Sequence, residues 1–325
     1  MKEVAVGLDI GGTNTKIGIV DEVGNCLSQT SIDTASYVKV EDYIKTLHRE
    51  ISDLLGNDSD YSLQGIGIGA PNANYYKGTI EQAPNLPWKG FIEFVKLLKQ
   101  YFDVPMAITN DANAAAIGEM VYGGAKGMDN FLVITLGTGL GSGFVVNGKL
   151  MYGADGFAGE LGHVTVYNNG RQCGCGRKGC LETYVSATGI KRTVYELLAD
   201  RNDSSELRDI SFNKLTAEMI TQAALREDAI ALTAFDFTGE ILGKKLADTI
   251  ALTSPEAIFI FGGLANAKDL IFQPTWHHME KNLMKIYQNK VKLLPSLLKH
   301  KNAGVMGASA LVWNEIKINP LFTHK

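Results

Sequence analysis

Apolar positions in the first third of the chain follow two rhythms. Val4 to Leu8 is a short apolar run that ends in the turn Asp9-Ile10-Gly11-Gly12-Thr13-Asn14. Lys16 to Val20 resumes the strand pattern, and a Gly24-Asn25 turn leads into a third strand. Short apolar runs bounded by glycine and asparagine predict β-strands and tight turns. Ile44, Leu47, Ile51, Leu54 and Leu55 then fall on one stripe, which predicts an amphipathic helix. Gly65 to Gly69 predicts a short buried strand closed by Pro71, Phe91 to Phe102 a helix, and Val104 to Thr109 another strand. Strands alternating with helices predict an α/β fold.

The order then repeats. Phe131 to Leu136 reads as a strand, followed by the turn Gly137-Thr138-Gly139-Leu140-Gly141, a strand from Gly143 to Val146, and the hairpin turn Asn147-Gly148. The stretch Leu8 to Gly12 with its following strand resembles Leu136 to Gly139 with its own. That reads as one supersecondary unit used twice, one per lobe; two glycine turns of independent origin are the alternative. Beyond Leu181 the chain is mostly helical. Arg201 to Asn213 is polar and predicts a surface loop, and Asp228 to Leu252 predicts a long helix ended by Ser254-Pro255. Ala257 to Phe261 predicts a buried strand entering Gly262-Gly263, and Val305 to Ile318 a last helix that opens with small residues.

A length of 325 residues gives two lobes enough chain to bury a core each. Apolar residues make up 45% and charged residues 20%, as in an ordinary globular protein. The net charge of −4 argues against a reader of phosphate backbones, so no nucleic-acid partner is expected. No run of 18 apolar residues occurs, and MKEVAVGLDIGG reads as a first strand rather than a signal peptide. The expectation is a cytoplasmic protein with no membrane partner.

Glycine turns suit phosphates, because glycine lets the backbone approach closely and its N–H groups converge on phosphate oxygens. Neither turn is a Walker A loop or a dinucleotide fingerprint. Asp9, opening the first turn, either holds Mg²⁺ through water or caps the turn. Asn110-Asp111 follows an apolar strand and precedes an alanine-rich helix, where the edge of a sheet presents ligands. By spacing alone Asp111 reads as a helix N-cap. Cys26 is isolated, whereas Cys173, Cys175 and Cys180 cluster downstream of His163. One histidine and three cysteines make a closed tetrahedral zinc set, structural rather than catalytic, and hard to explain as core packing. Trp88 either stacks on a ligand or fills core. His277 and His278 lie apart from every motif and read as solvated or packing residues.

Leu8-Asp9-Ile10-Gly11-Gly12-Thr13-Asn14-Thr15-Lys16 resembles the first phosphate loop of the ROK family of sugar kinases, part of the actin/hexokinase/Hsp70 superfamily. Leu136 to Gly141 resembles its second phosphate loop and Gly262-Gly263 its adenosine loop, and the likeness runs on through Gly304 to Ala310. The resemblance implies a two-lobed actin-like ATPase (ribonuclease H-like) fold, with a mixed sheet in each lobe and an interlobe cleft. Residues 1–112 with a C-terminal helix of about 306–325 would form the smaller lobe. Residues 113–305 would form the larger lobe, carrying the zinc segment 160–182 and the adenosine loop.

The resemblance also implies roles. Asp9, Gly11, Gly12, Thr13, Asn14, Lys16, Gly137, Thr138, Gly139, Gly262 and Gly263 would bind ATP with Mg²⁺. Asp111 would be the general base that accepts a sugar hydroxyl proton. Asn85, Asn110, Glu160, His163 and Glu182 would join Asp111 in binding a hexose, with His163 also a ligand of the structural zinc. For Glu182 a charge at a helix start is a second reading. Asn85-Leu86-Pro87-Trp88 is similar to the glucokinase members, so glucose is expected ahead of N-acetylmannosamine and fructose. Homodimers are common in the family, and a homodimer or homotetramer is expected. The family also contains sugar-sensing repressors with a helix-turn-helix before the first loop; this chain reaches Asp9 almost at once, which favours an enzyme.

Overall fold

The computed structural model describes residues 1–56, 61–298 and 302–318. The N-terminal apolar run becomes β1 (Lys2–Ile10), with Val4, Val6 and Leu8 fully buried. It is followed by β2 (Asn14–Asp21), β3 (Cys26–Asp33), α1 (Val40–Leu55) and β4 (Tyr61–Gly69). A small antiparallel sheet comes next, of β5 (Ala73–Asn74), β6 (Thr79–Glu81) and β7 (Phe91–Ile92). Then follow α2 (Phe94–Leu98), β8 (Met106–Thr109), α3 (Asp111–Tyr122), β9 (Phe131–Leu136), β10 (Leu140–Val146) and β11 (Lys149–Leu150). The remainder is α4 (Glu182–Val185), α5 (Ala187–Asp200), α6 (Ala217–Leu225), α7 (Ala229–Thr253), β12 (Ala257–Phe261), α8 (Asp269–Asn282), β13 (Lys292–Pro295) and α9 (Ala303–Ile318).

The repeat read from the sequence is a repeat of topology. The first sheet runs β3-β2-β1-β4-β8 and the second β11-β10-β9-β12-β13. In each, three consecutive strands pair antiparallel and two later strands add in parallel. Both sheets are therefore mixed, as expected, and each glycine turn joins the central strand to its antiparallel neighbour.

Large apolar side chains seat α1 on the first sheet, whereas α9 and α3 pack where glycine lets backbone meet backbone. The buried stripe of α1, with Tyr43, Ile44, Leu47 and Ile51, joins the core of the first sheet. Against the same sheet, α9 lies so close that a Cβ at Gly7 would sit 2.2 Å from the Val305 carbonyl oxygen, and one at Gly67 1.7 Å from that of Ala308. Between the sheets lies α3, almost wholly buried. A Cβ at Gly307 of α9 would meet the Ala114 carbonyl oxygen at 2.4 Å, and one at Gly143 of β10 would meet that of Ala112 at 2.7 Å. Its alanine-rich sequence is what such a squeezed helix requires. The N-terminus of α3 consequently opens on the seam between the two sheets.

Two local expectations change and one gains detail. The helix expected over 91–102 is only α2, because Phe91 and Ile92 pair with Glu81 and Ile80 of the small sheet instead. The strand expected from Gly143 starts at Leu140, where the hairpin register with Leu136 begins. The polar segment 201–213 is irregular as expected, but Arg201 and Arg208 tie it down through Asp203 and the Leu198 carbonyl. Residues 319–325 of the expected C-terminal element lie outside the described residues. Among the described residues no helix is long and apolar enough to cross a membrane.

Candidate active site

The first glycine turn is held from below. Gly11 N–H donates to the Asn14 carbonyl at 3.0 Å, and Thr34 N–H donates to that of Thr13 at 2.8 Å. Thr15 is buried beneath it, its hydroxyl 2.6 Å from Tyr43 and 2.8 Å from Thr34. This anchoring leaves Thr13, Asn14 and Lys16 exposed. Gly12 abuts the exposed Asn85, where a Cβ would fall 2.3 Å from the Asn85 carbonyl oxygen. Trp88, three residues on, is core: its indole N–H donates to the Tyr37 carbonyl at 3.0 Å and its ring packs 4.5 Å from Tyr43.

The second turn has the same build. Gly137 N–H donates to the Gly139 carbonyl at 3.0 Å, Ala187 N–H donates to Gly137, and Thr138 is exposed. Gly262 follows β12, adjacent to β9, with φ +104° and no room for a Cβ beside the Leu136 backbone. Gly263 faces open space. Gly262-Gly263 and the second turn therefore share one sheet edge.

Asn110 resolves the question of the cap. Its Oδ1 accepts from Asn113 N–H at 2.7 Å, making it the N-cap of α3 and leaving its amide nitrogen as a donor. Asp111 is the first helical residue, and its carboxylate opens on the seam while accepting from Ala112 N–H at 2.9 Å. Asp111 remains accessible from the seam, and the protein mass around its carboxyl disfavours the charged form and pushes its pKa up, against the pull of the Ala112 N–H. Asp9, half-buried at the end of β1, is also raised, first by burial and then by the charge of Asp111, with Lys16 opposing. Burial likewise raises Glu160, aided by the charges of Asp111 and Glu182 and opposed by His163. Asp9, Asp111, Glu160 and Glu182 thus form a connected group of interacting carboxylates. Glu182 is already half engaged, with one oxygen accepting from Leu140 N–H of the second turn at 3.0 Å.

The ligand atoms of His163, Cys173, Cys175 and Cys180 all lie within 4.8 Å of one another. Zn–S bonds of about 2.3 Å place tetrahedral sulfurs about 3.8 Å apart. The Cys175 and Cys180 sulfurs are 3.7 Å apart, and Cys173 Sγ is 3.6 Å from His163 Nδ1. Geometry and donor chemistry both fit zinc. Nδ1 points into the sulfur cluster, while Nε2 turns out toward Glu160 Oε2 at 3.9 Å. Burial and the neighbouring thiols push the Cys173 thiol up to about 12. Cys26 is a free, exposed thiol on the first sheet.

Two residues at this site escaped the sequence reading. A Cβ at Gly304, at the start of α9, would stand 2.1 Å from Asp9 Oδ2, so this glycine walls the carboxylate directly. Ser142 stitches β10 to the segment bearing Glu160, donating to the Gly159 carbonyl and accepting from Leu161 N–H at 3.1 Å. His277 and His278 lie on α8, with His278 Nε2 3.7 Å from Asp236, apart from the site.

The ROK family model matches residues 5–315. The chain belongs to the ROK family. A glucokinase of Halalkalibacterium halodurans is 35% identical over 316 residues, which is 94% of each chain. The xylose repressor of Bacillus subtilis is 30% identical over 254 residues, covering 78% of this ROK chain and 62% of the repressor. The crystal structure of a ROK glucokinase from Streptomyces griseus, in complex with glucose and AMPPNP, superposes with a TM-score of 0.78. That enzyme is 30% identical, and the alignment covers 95% of this chain and 98% of its own. The two mixed sheets are thus the actin-like ATPase fold that the first loop implied.

Proposed function

We propose that this ROK protein is an ATP-dependent hexose kinase that transfers the γ-phosphate to the 6-hydroxyl of glucose. The observation that carries this is Asp111: a carboxylate released from capping duty by Asn110, open on the seam between two glycine turns, with Asp9 opposite. A raised pKa makes it a stronger proton acceptor for the attacking hydroxyl. Phosphoryl transfer needs alignment and charge neutralisation besides, and the first turn offers both through Thr13, Asn14 and Lys16. Asp9 would hold Mg²⁺ through water, and the cation would neutralise charge on the phosphate oxygens. The backbone of Gly137 to Gly139 and Gly262-Gly263 would take the rest of the nucleotide.

Asn85, Asn110, Glu160, Glu182 and His163 Nε2 would meet the sugar hydroxyls. His163, Cys173, Cys175 and Cys180 would hold zinc, which stiffens a glycine-rich segment too poor in apolar residues to fix itself. Residues 1–112 with the C-terminal helix from about residue 306 would close on 113–305 around the sugar and exclude water. Kinship with the family supports a cytoplasmic homodimer or homotetramer.

A coupled ADP-release screen over glucose, mannose, N-acetylmannosamine, N-acetylglucosamine, allose and fructose tests the reading. A hydroxyl left unpaired costs about 1–3 kcal/mol, so glucose should lead its epimers about ten- to a hundredfold in kcat/KM. A lead for N-acetylmannosamine or fructose sinks glucose and leaves the kinase. Sugar binding without ADP release would instead favour a sensor, the reading supported by kinship with the xylose repressor.

A further inference from the structure

Arg171 stands two residues before Cys173, and its side chain is 9% exposed. Every nitrogen of its guanidinium is spoken for. Nε donates to Glu196 Oε1 at 2.9 Å, and one terminal nitrogen donates to the carbonyls of Thr183 at 2.8 Å and Gly189 at 3.1 Å. The other reaches Glu196 Oε2 and, at 3.0 Å, the Thr193 hydroxyl. The group lies 4.5 Å from the centre of the Tyr184 ring, and the Tyr184 hydroxyl accepts the backbone N–H of Arg171 at 2.9 Å.

These partners all belong to α4 and α5. Thr183 is the neighbour of Glu182, whose Oε1 lies 3.5 Å from Cys173 Sγ. Arg171 therefore bolts the cysteine-bearing loop to the helix that presents Glu182, through contacts that involve no metal ligand. A planar fork with fixed donor directions can do this where a single ammonium cannot. We propose that Arg171 is a positioning residue that keeps the cysteine loop in register with Glu182, so that the four ligands stay preassembled for the metal. This rests on reading the His-Cys₃ cluster as a zinc centre.

The test compares wild-type protein with Arg171→Lys, Arg171→Ala and Glu196→Gln. Zinc per chain is measured by elemental analysis, zinc release by transfer to a colorimetric chelator, and glucose affinity by calorimetry. Groups that orient metal ligands typically change metal affinity about 10- to 100-fold when removed. Arg171→Ala should release zinc faster by that factor, with glucose Kd rising in parallel, and Arg171→Lys should fall between. Glu196 is 58% exposed, so Glu196→Gln should spare the fold and still speed release, less than the alanine variant. Should Arg171→Ala fail to fold, the other two variants decide. Wild-type release rates in folded Arg171→Lys and Glu196→Gln would overturn the proposal. A wild-type protein that carries no zinc would overturn the metal centre itself, and this inference with it.

Discussion

Gly304→Ala separates the site from the fold. A Cβ there would lie 2.1 Å from Asp9 Oδ2 and 2.2 Å from Asp9 Cγ. Ordinary carbon–oxygen contact begins at roughly 3.4 Å, so one group must retreat by about 1.3 Å. The Asp9 side chain ends in a free carboxylate, whereas Gly304 is fixed in the first turn of α9, so the carboxylate moves. Removing a helical glycine gains about 0.5–1 kcal/mol, so the variant should melt no lower than wild type. Displacing a catalytic group by about 1 Å can cost about 10²-fold in rate. If Asp9 organises Mg²⁺ and the phosphates, kcat/KM for ATP should fall by that order while glucose affinity holds. Steady-state kinetics with each substrate varied, glucose calorimetry and thermal melting read the three quantities. Wild-type ATP kinetics in a folded Gly304→Ala protein would refute the role given to Asp9.

Other consequences follow from the same geometry. Asp111→Asn should lower kcat about 10²–10⁴-fold, or about 3–5 kcal/mol of barrier, and leave glucose binding intact by calorimetry. Because the folded protein raises the Asp111 pKa, the ionised carboxylate opposes folding above its unfolded pKa, and protonation relieves this as pH falls through the folded value. Asp111→Asn should therefore melt above wild type at neutral pH, with the gap closing in acid; equal melting temperatures throughout would refute the sign. For the same reason kcat/KM of the wild type should fail on the acid side at a pH above the usual aspartate range. Elemental analysis of dialysed protein should find one zinc per chain, and Cys175→Ser should lower both zinc content and glucose affinity. A zinc-free wild type of full activity would refute the structural metal.

The strands and the two turns were legible because apolar runs bounded by glycine leave few alternatives, and their similarity gave the duplicated sheet topology. The gathering of His163, Cys173, Cys175 and Cys180 was legible because few uses other than a shared ligand explain three cysteines in eight residues with an upstream histidine. Asn110 and Asp111 were not separable, since both residue types cap helices and only the backbone decides which one does. The short α2 was overread because apolar spacing around Phe91 fits a helix, while pairing with β6 claims its first two residues. Gly7, Gly67 and Gly304 are visible as glycines, but Gly7 and Gly67 face α9, about 240 to 300 residues further along the chain, and Gly304 of α9 faces Asp9 of β1 across a similar separation. Long-range approach of this kind leaves no local signal.

Glu182 shows why the two halves of the site cannot be tuned separately. It lies two residues after Cys180, so the packing of the cysteine loop fixes where its backbone starts. Its Oε2 takes the Leu140 N–H, so the second glycine turn fixes where its carboxylate ends. A Cβ at Gly139 would stand 2.2 Å from that same oxygen, and Gly139 does not adopt a positive φ. Glycine is required there by the approach of the carboxylate rather than by the turn. The spacing of the second turn, read at first as a phosphate cradle, thus also serves the neighbouring acid. With one oxygen held by a backbone N–H, the other has a single direction, and it lies beside Cys173 and within the field of Glu160. A shift in the cysteine loop can therefore reach the second turn through the Glu182 side chain, alongside the Ala187 N–H to Gly137 bond at the start of α5, and a shift in the turn can return by the same routes.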